Sequence, residues 1–262
     1  VVVLDNRRIT ITQGLIEALL ENNCAIITCD SHSLPVGLIL PLYGNTTQNE
    51  RFRDQLAASL PLKKQLWQQT IKMKISNQAA VLAACTGNNS LTMQRWIEDV
   101  RSGDPDNIEG RAAAYYWKNL FDRIDGLEDF TRGRDGDEPN NLLNYGYAIL
   151  RAVVARALVS SGMLPTLGIH HHNRYNAYCL ADDIMEPYRP YVDELVYSIV
   201  SEYGVNNLVL SRELKARLLT IPTLDIIIGG KCSPLMVAVT QTTASLYKCF
   251  TGELRRIAYP VR

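Results

Sequence analysis

The sequence predicts an α+β protein in which a small strand-rich part, residues 1–46, precedes a larger all-helical part, residues 47–262. Two observations carry this prediction. Short β-branched or apolar runs bounded by Asn, Asp, Ser, Pro and Gly fill the first forty or so residues, as is typical of strands. After the polar segment YGNTT at 43–47 the composition changes, and apolar residues recur at helical spacing over long segments.

The first part is expected to hold three strands, at 1–5, 25–29 and 36–42, and one helix at 10–20 that begins in a Thr-rich turn. The chain opens inside an apolar run and does not begin with Met. We therefore expect the numbering to start part way into a longer protein, whose N-terminal β-rich domain is partly missing here.

The second part is expected to be built from helices, since apolar residues follow the helical period in nine segments. These segments are 49–60, 62–84, 91–101, 108–121, 142–160, a stretch that starts at 180, 190–202, 211–220 and 235–252. Within 62–84 the apolar residues form one stripe, and Lys72 and Lys74 are expected to point away from it. The stretch 130–141 is rich in Gly, Asp and Pro and is expected to be irregular.

Composition limits the classes of function. Lys plus Arg and Asp plus Glu number 27 each, so a nucleic-acid surface has to arise from segregation of charge. No run of 18 apolar residues exists, and we expect no membrane span. Six cysteines without a CxxC pair indicate reduced thiols and a cytoplasmic protein. The sequence also lacks GxSxG, GxxxxGK[ST], GxGxxG and HExxH, the local signals of serine hydrolases, P-loops, Rossmann folds and zincins.

The stretch 168–190 combines three consecutive histidines with an amphipathic helical pattern. Glu186 lies four residues after Asp182 and three after Asp183, so it shares a helix face with each. An imidazole from the preceding loop could meet such a carboxylate, a donor set that suits Mg²⁺ or Mn²⁺. The alternative is structural, with polar turn residues followed by an acidic first turn that complements the helix dipole.

Two further sites have a functional and a structural interpretation. Glu109 stands in the first turn of the 108–121 helix, either as a reactive carboxylate or as a surface acid near the positive end of the helix dipole. Arg132 and Arg134 flank a glycine in the irregular stretch, a shape that suits phosphate binding, although most surface arginines are simply solvated.

Five motifs in order along the chain carry a resemblance to a known family. They are K-I-x-N-Q at 74–78, I-E-G-x-A-A at 108–113, R-x-R at 132–134 followed by N-x-L-L-N-Y-G-Y at 140–147, G-I-H-H at 168–171, and L-A-D-D-I-M-E-P-x-R-P at 180–190. Together they resemble Cas1, the CRISPR-associated endonuclease and integrase of the spacer-adaptation complex, in the form found with Cas9 effectors in type II systems.

The resemblance implies a β-rich N-terminal dimerisation domain, a helical catalytic domain and a Mg²⁺ or Mn²⁺ site. Its implied catalytic and metal-binding residues are Glu109, His171 and Glu186. Glu186 is a departure, because relatives often have Asp there, and His170 replaces an apolar family residue. His170 and Asp183 are therefore secondary candidates. The implied DNA-binding residues are Lys74, Arg132, Arg134 and Arg189.

The implied activity is insertion of short foreign DNA fragments into a CRISPR array, by attack of a 3′-hydroxyl on a phosphodiester. The implied partners are double-stranded DNA, both the foreign fragment and the repeat-leader, a second copy of the chain in a homodimer, and the small subunit Cas2 in a hetero-hexamer. The Cas9 effector is a further candidate partner. Two other functions stay open: a metal-dependent DNA nuclease without an integration role, and a non-catalytic DNA-binding scaffold.

Overall fold

The computed structural model describes residues 1–31, 34–133 and 136–262, and Arg134 lies outside the described residues. The chain begins with a three-stranded sheet in which the central strand pairs in parallel with the first strand and antiparallel with the third. The strands are β1 (Val2–Leu4), β2 (Ile26–Cys29) and β3 (Pro35–Ile39). Helix α1 (Gln13–Glu21) connects β1 to β2 and starts where the Thr12 hydroxyl accepts the Leu15 N–H.

Helices make up most of the remaining described chain. They are α2 (Gln48–Ala57), α3 (Leu60–Thr86), α4 (Leu91–Asp99), α5 (Ile108–Leu120), α6 (Asn140–Ser160), α7 (Cys179–Met185), α8 (Arg189–Tyr203), α9 (Arg212–Leu218) and α10 (Leu235–Phe250). Local signals set several of these ends, because serine caps begin α3, α4 and α9, and Gly87, with a φ of 71°, ends α3.

The α+β class is confirmed, but the second part of the chain is not purely helical. A hairpin of β4 (Asp225–Ile228) and β5 (Lys231–Pro234) precedes α10. Its turn uses Gly229 and Gly230, both at positive φ. A β-branched run followed by Gly-Gly is a hairpin signal, so the sequence contained this element although we did not predict it.

Helices α3 and α6 form the centre of the fold. Helix α6 is long and apolar enough to cross a membrane, but 72% of its most apolar window is buried inside the protein, as expected for a core helix. The strand-rich part packs against the end of α6, where a Cβ on Gly44 would lie 2.0 Å from the carbonyl oxygen of Val159. Asn45 donates to the Ser160 carbonyl at the same place. The division between residues 46 and 47 stays a prediction.

Candidate metal and DNA site

The start of α5 fixes the direction of Glu109. Asn107 adopts a left-handed conformation, with a φ of 51°, and its side chain accepts the Gly110 N–H. The carboxylate of Asp104 accepts the N–H groups of both Ile108 and Glu109 at 2.9 Å. These bonds satisfy backbone donors that a helix start leaves free. The side chain of Glu109 is consequently held at a well-defined, partly exposed helix end.

Glu186 lies in a single 3-10 turn, Glu186–Tyr188, between α7 and α8. Asn77, fully buried on α3, donates to the carbonyl of Pro187 at 2.8 Å and to that of Pro260 at 3.1 Å. The Arg262 N–H donates to the Asn77 side-chain oxygen. Asn77 thus joins the turn that carries Glu186 to α3 and to the C-terminal segment.

Lys74 brings the two predicted carboxylate ligands together. Its ammonium nitrogen lies 2.5 Å from Glu109 Oε1 and 2.6 Å from Glu186 Oε2. The two oxygens are therefore no more than 5.1 Å apart, the sum of these distances. Lys74 is only 7% exposed, so it is buried against the two acids and does not lie on a solvated helix face. Arg189 Nε completes the group at 2.9 Å from Glu186 Oε1.

The charges in this group stabilise one another. Burial alone would lower the pKa of Lys74, but attraction to Glu186 and Glu109 raises it. Burial would likewise raise the pKa of Glu186, but Arg189 and Lys74 lower it. Glu186 Oε2 is buried and forms an ion pair with Lys74 Nζ at 2.6 Å, and it accepts no hydrogen bond from the described residues. This oxygen is thus already paired with one cation, the Lys74 ammonium.

The loop before α7 is organised around Asp183, which is completely buried. Its carboxylate accepts the N–H groups of Ile169, His170 and His171 at 2.7, 2.9 and 3.2 Å. The same carboxylate lies 2.5 Å from His171 Nδ1. When the Nδ1–H of a neutral His171 ring donates to Asp183, the lone pair of Nε2 is left to bind a metal ion. This is the usual arrangement for a metal-binding histidine.

The two neighbouring imidazoles have different surroundings. His170 stacks on Trp67, with ring centroids 4.1 Å apart and planes within 2°. Burial lowers the pKa of His170, whereas the hydrogen bond to Asp183 raises the pKa of His171. The carboxylate partner favours His171 as the ligand, and this assignment stays a prediction.

The described residues contain no group of three His, Cys, Asp or Glu side chains that could hold a metal as they stand. Glu109 and Glu186 meet around Lys74, while His171 is bonded to Asp183. His171 is nevertheless within electrostatic range of Glu186, whose charge contributes to its raised pKa. Two carboxylates, of which Glu186 has a buried oxygen that accepts no hydrogen bond from the described residues, and an imidazole nitrogen are donors that fit Mg²⁺ or Mn²⁺.

A cavity of about 230 Å³ opens beside the carboxylates. Arg132, Arg189 and Tyr147 line it and also line a second cavity of about 830 Å³, which reaches the start of β3. The guanidinium carbons of Arg132 and Arg189 lie 5.2 and 4.6 Å from the Tyr147 ring centroid. Two of the predicted DNA-binding arginines therefore border the space beside the acids, and the third, Arg134, lies outside the described residues.

Comparisons with known proteins agree with this architecture. A family model described as CRISPR associated protein Cas1 matches residues 1–228. The chain belongs to the Cas1 family. The CRISPR-associated endonuclease Cas1 of Neisseria meningitidis serogroup C is 43% identical over 204 residues, which cover 77% of this chain and 65% of the relative. A Cas1 endonuclease of Pyrobaculum aerophilum is 27% identical over 221 residues, 80% of this chain and 74% of the relative.

Solved structures show the same fold at lower identity. A casposase bound to integration product superposes with a TM-score of 0.79 at 20% identity, covering 95% of this chain and 77% of that one. A Cas6-RT-Cas1–Cas2 complex gives 0.73 at 19% identity, covering 93% of this chain and 30% of that one. The resemblance seen in the sequence is confirmed at the level of family and fold.

The structure adds residues to this Cas1-family site that the sequence analysis did not select. Asp193 on α8 accepts hydrogen bonds from the hydroxyls of Tyr116 and Tyr147 and lines the smaller cavity. Burial raises its pKa to about 7, against the effect of these two hydrogen bonds. Asn77 and Tyr147 did occur in the quoted motifs, so membership of a motif was the available signal for them.

Proposed function

We propose that this chain is the catalytic part of a divalent-metal-dependent DNA endonuclease and integrase, which inserts short foreign DNA fragments into a CRISPR array. The observation that carries the proposal is the meeting of Glu109 and Glu186, 77 positions apart in the sequence, around one buried cation position. Membership of the Cas1 family and the endonuclease name of its relatives support it.

The donors proposed for Mg²⁺ or Mn²⁺ are Glu109, Glu186 and the Nε2 atom of His171. When bound, such an ion polarises a phosphodiester and stabilises the negative charge that develops on its oxygens. Asp183 orients the imidazole, since its carboxylate holds Nδ1 and three backbone N–H groups. Attack by a 3′-hydroxyl exchanges one phosphodiester for another, so the reaction needs no nucleotide hydrolysis, in keeping with the absence of a P-loop sequence.

Arg132 and Arg189 are proposed to hold DNA phosphates beside the acids. Both guanidinium groups pack on Tyr147, which limits their rotation and keeps them at the rim shared by the two cavities. Arginine binds phosphate through two parallel hydrogen bonds, and a fixed guanidinium loses less entropy on binding. Lys74 and Arg134 remain proposed DNA-binding residues as well.

The proposed assembly is a homodimer formed through the strand-rich part, with two dimers flanking a dimer of Cas2. Strands β1 and β3 are the outer strands of their sheet. Val36 in β3 and Leu42 shortly after it are 66% and 76% exposed. Unpaired edges with exposed apolar residues favour pairing with another chain. The structural similarity to a Cas6-RT-Cas1–Cas2 complex supports the Cas2 partner, and Cas9 is a further candidate.

A strand-transfer assay with the Cas2 subunit tests the proposal. Glu109→Gln should lower joining by about 10²–10³-fold or more, since it removes one negative donor from the cation position. The matched control is Glu98→Gln, because Glu98 is an exposed acid on α4, and it should join like the parent. Cleavage without joining by the parent would indicate a nuclease, and joining unaffected by Glu109→Gln would refute this catalytic site.

The same assay decides between the imidazoles. His171→Ala should lower joining about 10–100-fold, because it removes the proposed metal-binding nitrogen together with the ring that Asp183 orients. His170→Ala removes a ring that stacks on Trp67 and should retain most activity. The opposite result would make His170 the ligand.

A further inference from the structure

We propose that the Lys74 ammonium occupies the cation position between Glu109 and Glu186 in the metal-free protein, and that a bound divalent ion displaces it into the adjoining cavity. The inference rests on the proposed metal site and concerns a residue that is not a metal ligand. Its basis is the geometry of Lys74, which contacts one oxygen of each carboxylate at 2.5 and 2.6 Å.

Lys74 and a metal ion would compete for the same oxygens. Mg²⁺ binds carboxylate oxygen at about 2.0–2.1 Å. An ion held by both Glu109 and Glu186 would need the space between their oxygens that Nζ now fills. A divalent ion and an ammonium repel each other strongly at such separations, most of all where water is excluded. Both cations cannot occupy this position, and one has to leave.

The metal-free protein needs a positive charge there. Glu186 is 5% exposed and Lys74 is 7% exposed, so this ion pair is largely shielded from water, whereas the Glu109 side chain is 30% exposed. A buried charge without a partner costs far more free energy than a paired one. Arg189 Nε lies 2.9 Å from Oε1 of Glu186, and Oε2 accepts no hydrogen bond from any described residue. Without the ammonium, Arg189 alone would balance the two carboxylates, so Lys74 supplies the second positive charge.

The displaced side chain has space to enter. The cavity of about 230 Å³ is lined by Lys74 itself and by neighbours on α3 and α5, including Gln78 and Trp117. Lysine carries its charge on a flexible four-carbon stem, so Nζ can move by several ångströms while the helix stays fixed. In that cavity the ammonium would lie near Arg132 and Arg189, on the side proposed for DNA phosphates.

The test is acylation of lysine amines in the parent protein with and without Mn²⁺, followed by peptide mass spectrometry. Lys72 is the internal reference, because it lies on the same helix and is partly exposed. The ion pairs of Glu109 and Glu186 within the described residues do not include it. Without metal, Lys74 should be protected. Saturating Mn²⁺ should raise the ratio of Lys74 to Lys72 labelling severalfold, and in Glu109→Gln the ratio should no longer respond to Mn²⁺.

Binding of Mn²⁺ is measured in parallel by calorimetry. If the parent binds Mn²⁺ and the labelling ratio does not change, the displacement is refuted while the proposed metal site stands. If the parent binds no Mn²⁺, both fail. In addition, Lys74→Met should bind Mn²⁺ about tenfold more tightly and unfold more easily than the parent without metal, whereas Lys72→Met should do neither. Equal affinity in the parent and Lys74→Met would also overturn the inference.

Discussion

The two halves of the candidate site are built in different ways. In the first half, Glu109, Lys74 and Glu186 come from α5, from α3 and from the turn after α7, and they meet only because these elements pack together. In the second half, His171 and Asp183 are 12 residues apart, and one carboxylate organises a short loop. The first half depends on tertiary packing, whereas the second depends mainly on local hydrogen bonds.

The balance of charge differs as well. The first half groups a buried acid, Glu186, and a partly exposed one, Glu109, with Lys74 and Arg189, so its stability depends on mutual neutralisation. Asp183 is buried against three backbone N–H groups and one imidazole, which is a hydrogen-bonded arrangement that needs no second charged helix. Substitutions should therefore destabilise the two halves in different ways. In the first half they leave an unbalanced charge, and in the second they leave backbone N–H groups without an acceptor.

The largest effect is expected from Glu186→Ala. The substitution removes a proposed metal donor and leaves Lys74 and Arg189 with one acid fewer. Strand joining should fall by about 10³-fold or more, and the free energy of unfolding by about 3–5 kcal/mol. Urea denaturation and strand transfer measure the two effects. Glu186→Gln preserves the shape and should show the same loss of joining, and normal joining by Glu186→Gln would remove Glu186 from the catalytic set.

In the second half, Asp183→Ala should act mainly on folding. It leaves the N–H groups of Ile169, His170 and His171 without their acceptor, at a cost of about 1–3 kcal/mol for each buried group that water does not reach. Joining should fall about 10–100-fold because the His171 ring loses its orientation. The control is Asp182→Ala, which should cost less because the described hydrogen bonds to the Asp182 carboxylate come from side chains, those of Asn176 and of Arg151, which is 42% exposed. Equal costs, measured by urea denaturation, would contradict the role of Asp183 as the loop anchor.

A smaller effect should come from Asp193, behind the arginines of the first half. Burial raises its pKa from 3.8 to about 7. Between these values the unfolded chain releases a proton that the folded protein keeps, so the stability that Asp193 contributes declines as pH rises and levels off above about pH 7. The slope is at most about 1.4 kcal/mol per pH unit. Asp193→Asn should flatten urea-denaturation stability between pH 4 and 7, and parallel profiles for parent and variant would refute this.

The smallest effect is expected for Arg132→Ala. Removal of the Arg132 side chain breaks hydrogen bonds to Asn140 and Asn144, but Asn140 still accepts the Gly133 N–H and donates to the carbonyls of Thr131 and Asp137, so this loop stays anchored. The slope of log K for DNA binding against log salt should fall by about 1, with weaker binding for all DNA sequences. Filter binding over a range of salt concentrations measures this. An unchanged slope would show that Arg132 contacts no phosphate, whereas Glu109→Gln should leave the slope unchanged.

Much of the fold was predictable because its signals are local. The predicted helix at 108–121 agrees with α5 within one residue, and the predicted helix at 142–160 starts two residues after α6 does. The hairpin of β4 and β5 was missed although its Gly-Gly turn is a local signal, since the surrounding helical segments dominated our interpretation. The burial of Lys74 could not be predicted, because the same residue on an amphipathic helix would suit either solvent or an acidic pair.

The sequence by itself determined the α+β class, most element boundaries, the family and the acids and histidines that are candidates for chemistry. Only the tertiary structure decided that Lys74 lies between Glu109 and Glu186, that Asn77 holds the turn after Glu186, and that Asp183 anchors His171. The physical reason is the separation along the chain of the residues that interact. Helix caps and turns depend on neighbours a few residues away, whereas the Lys74 pairs join positions separated by 35 and 112 residues, and their energy depends on which helices pack together and exclude water.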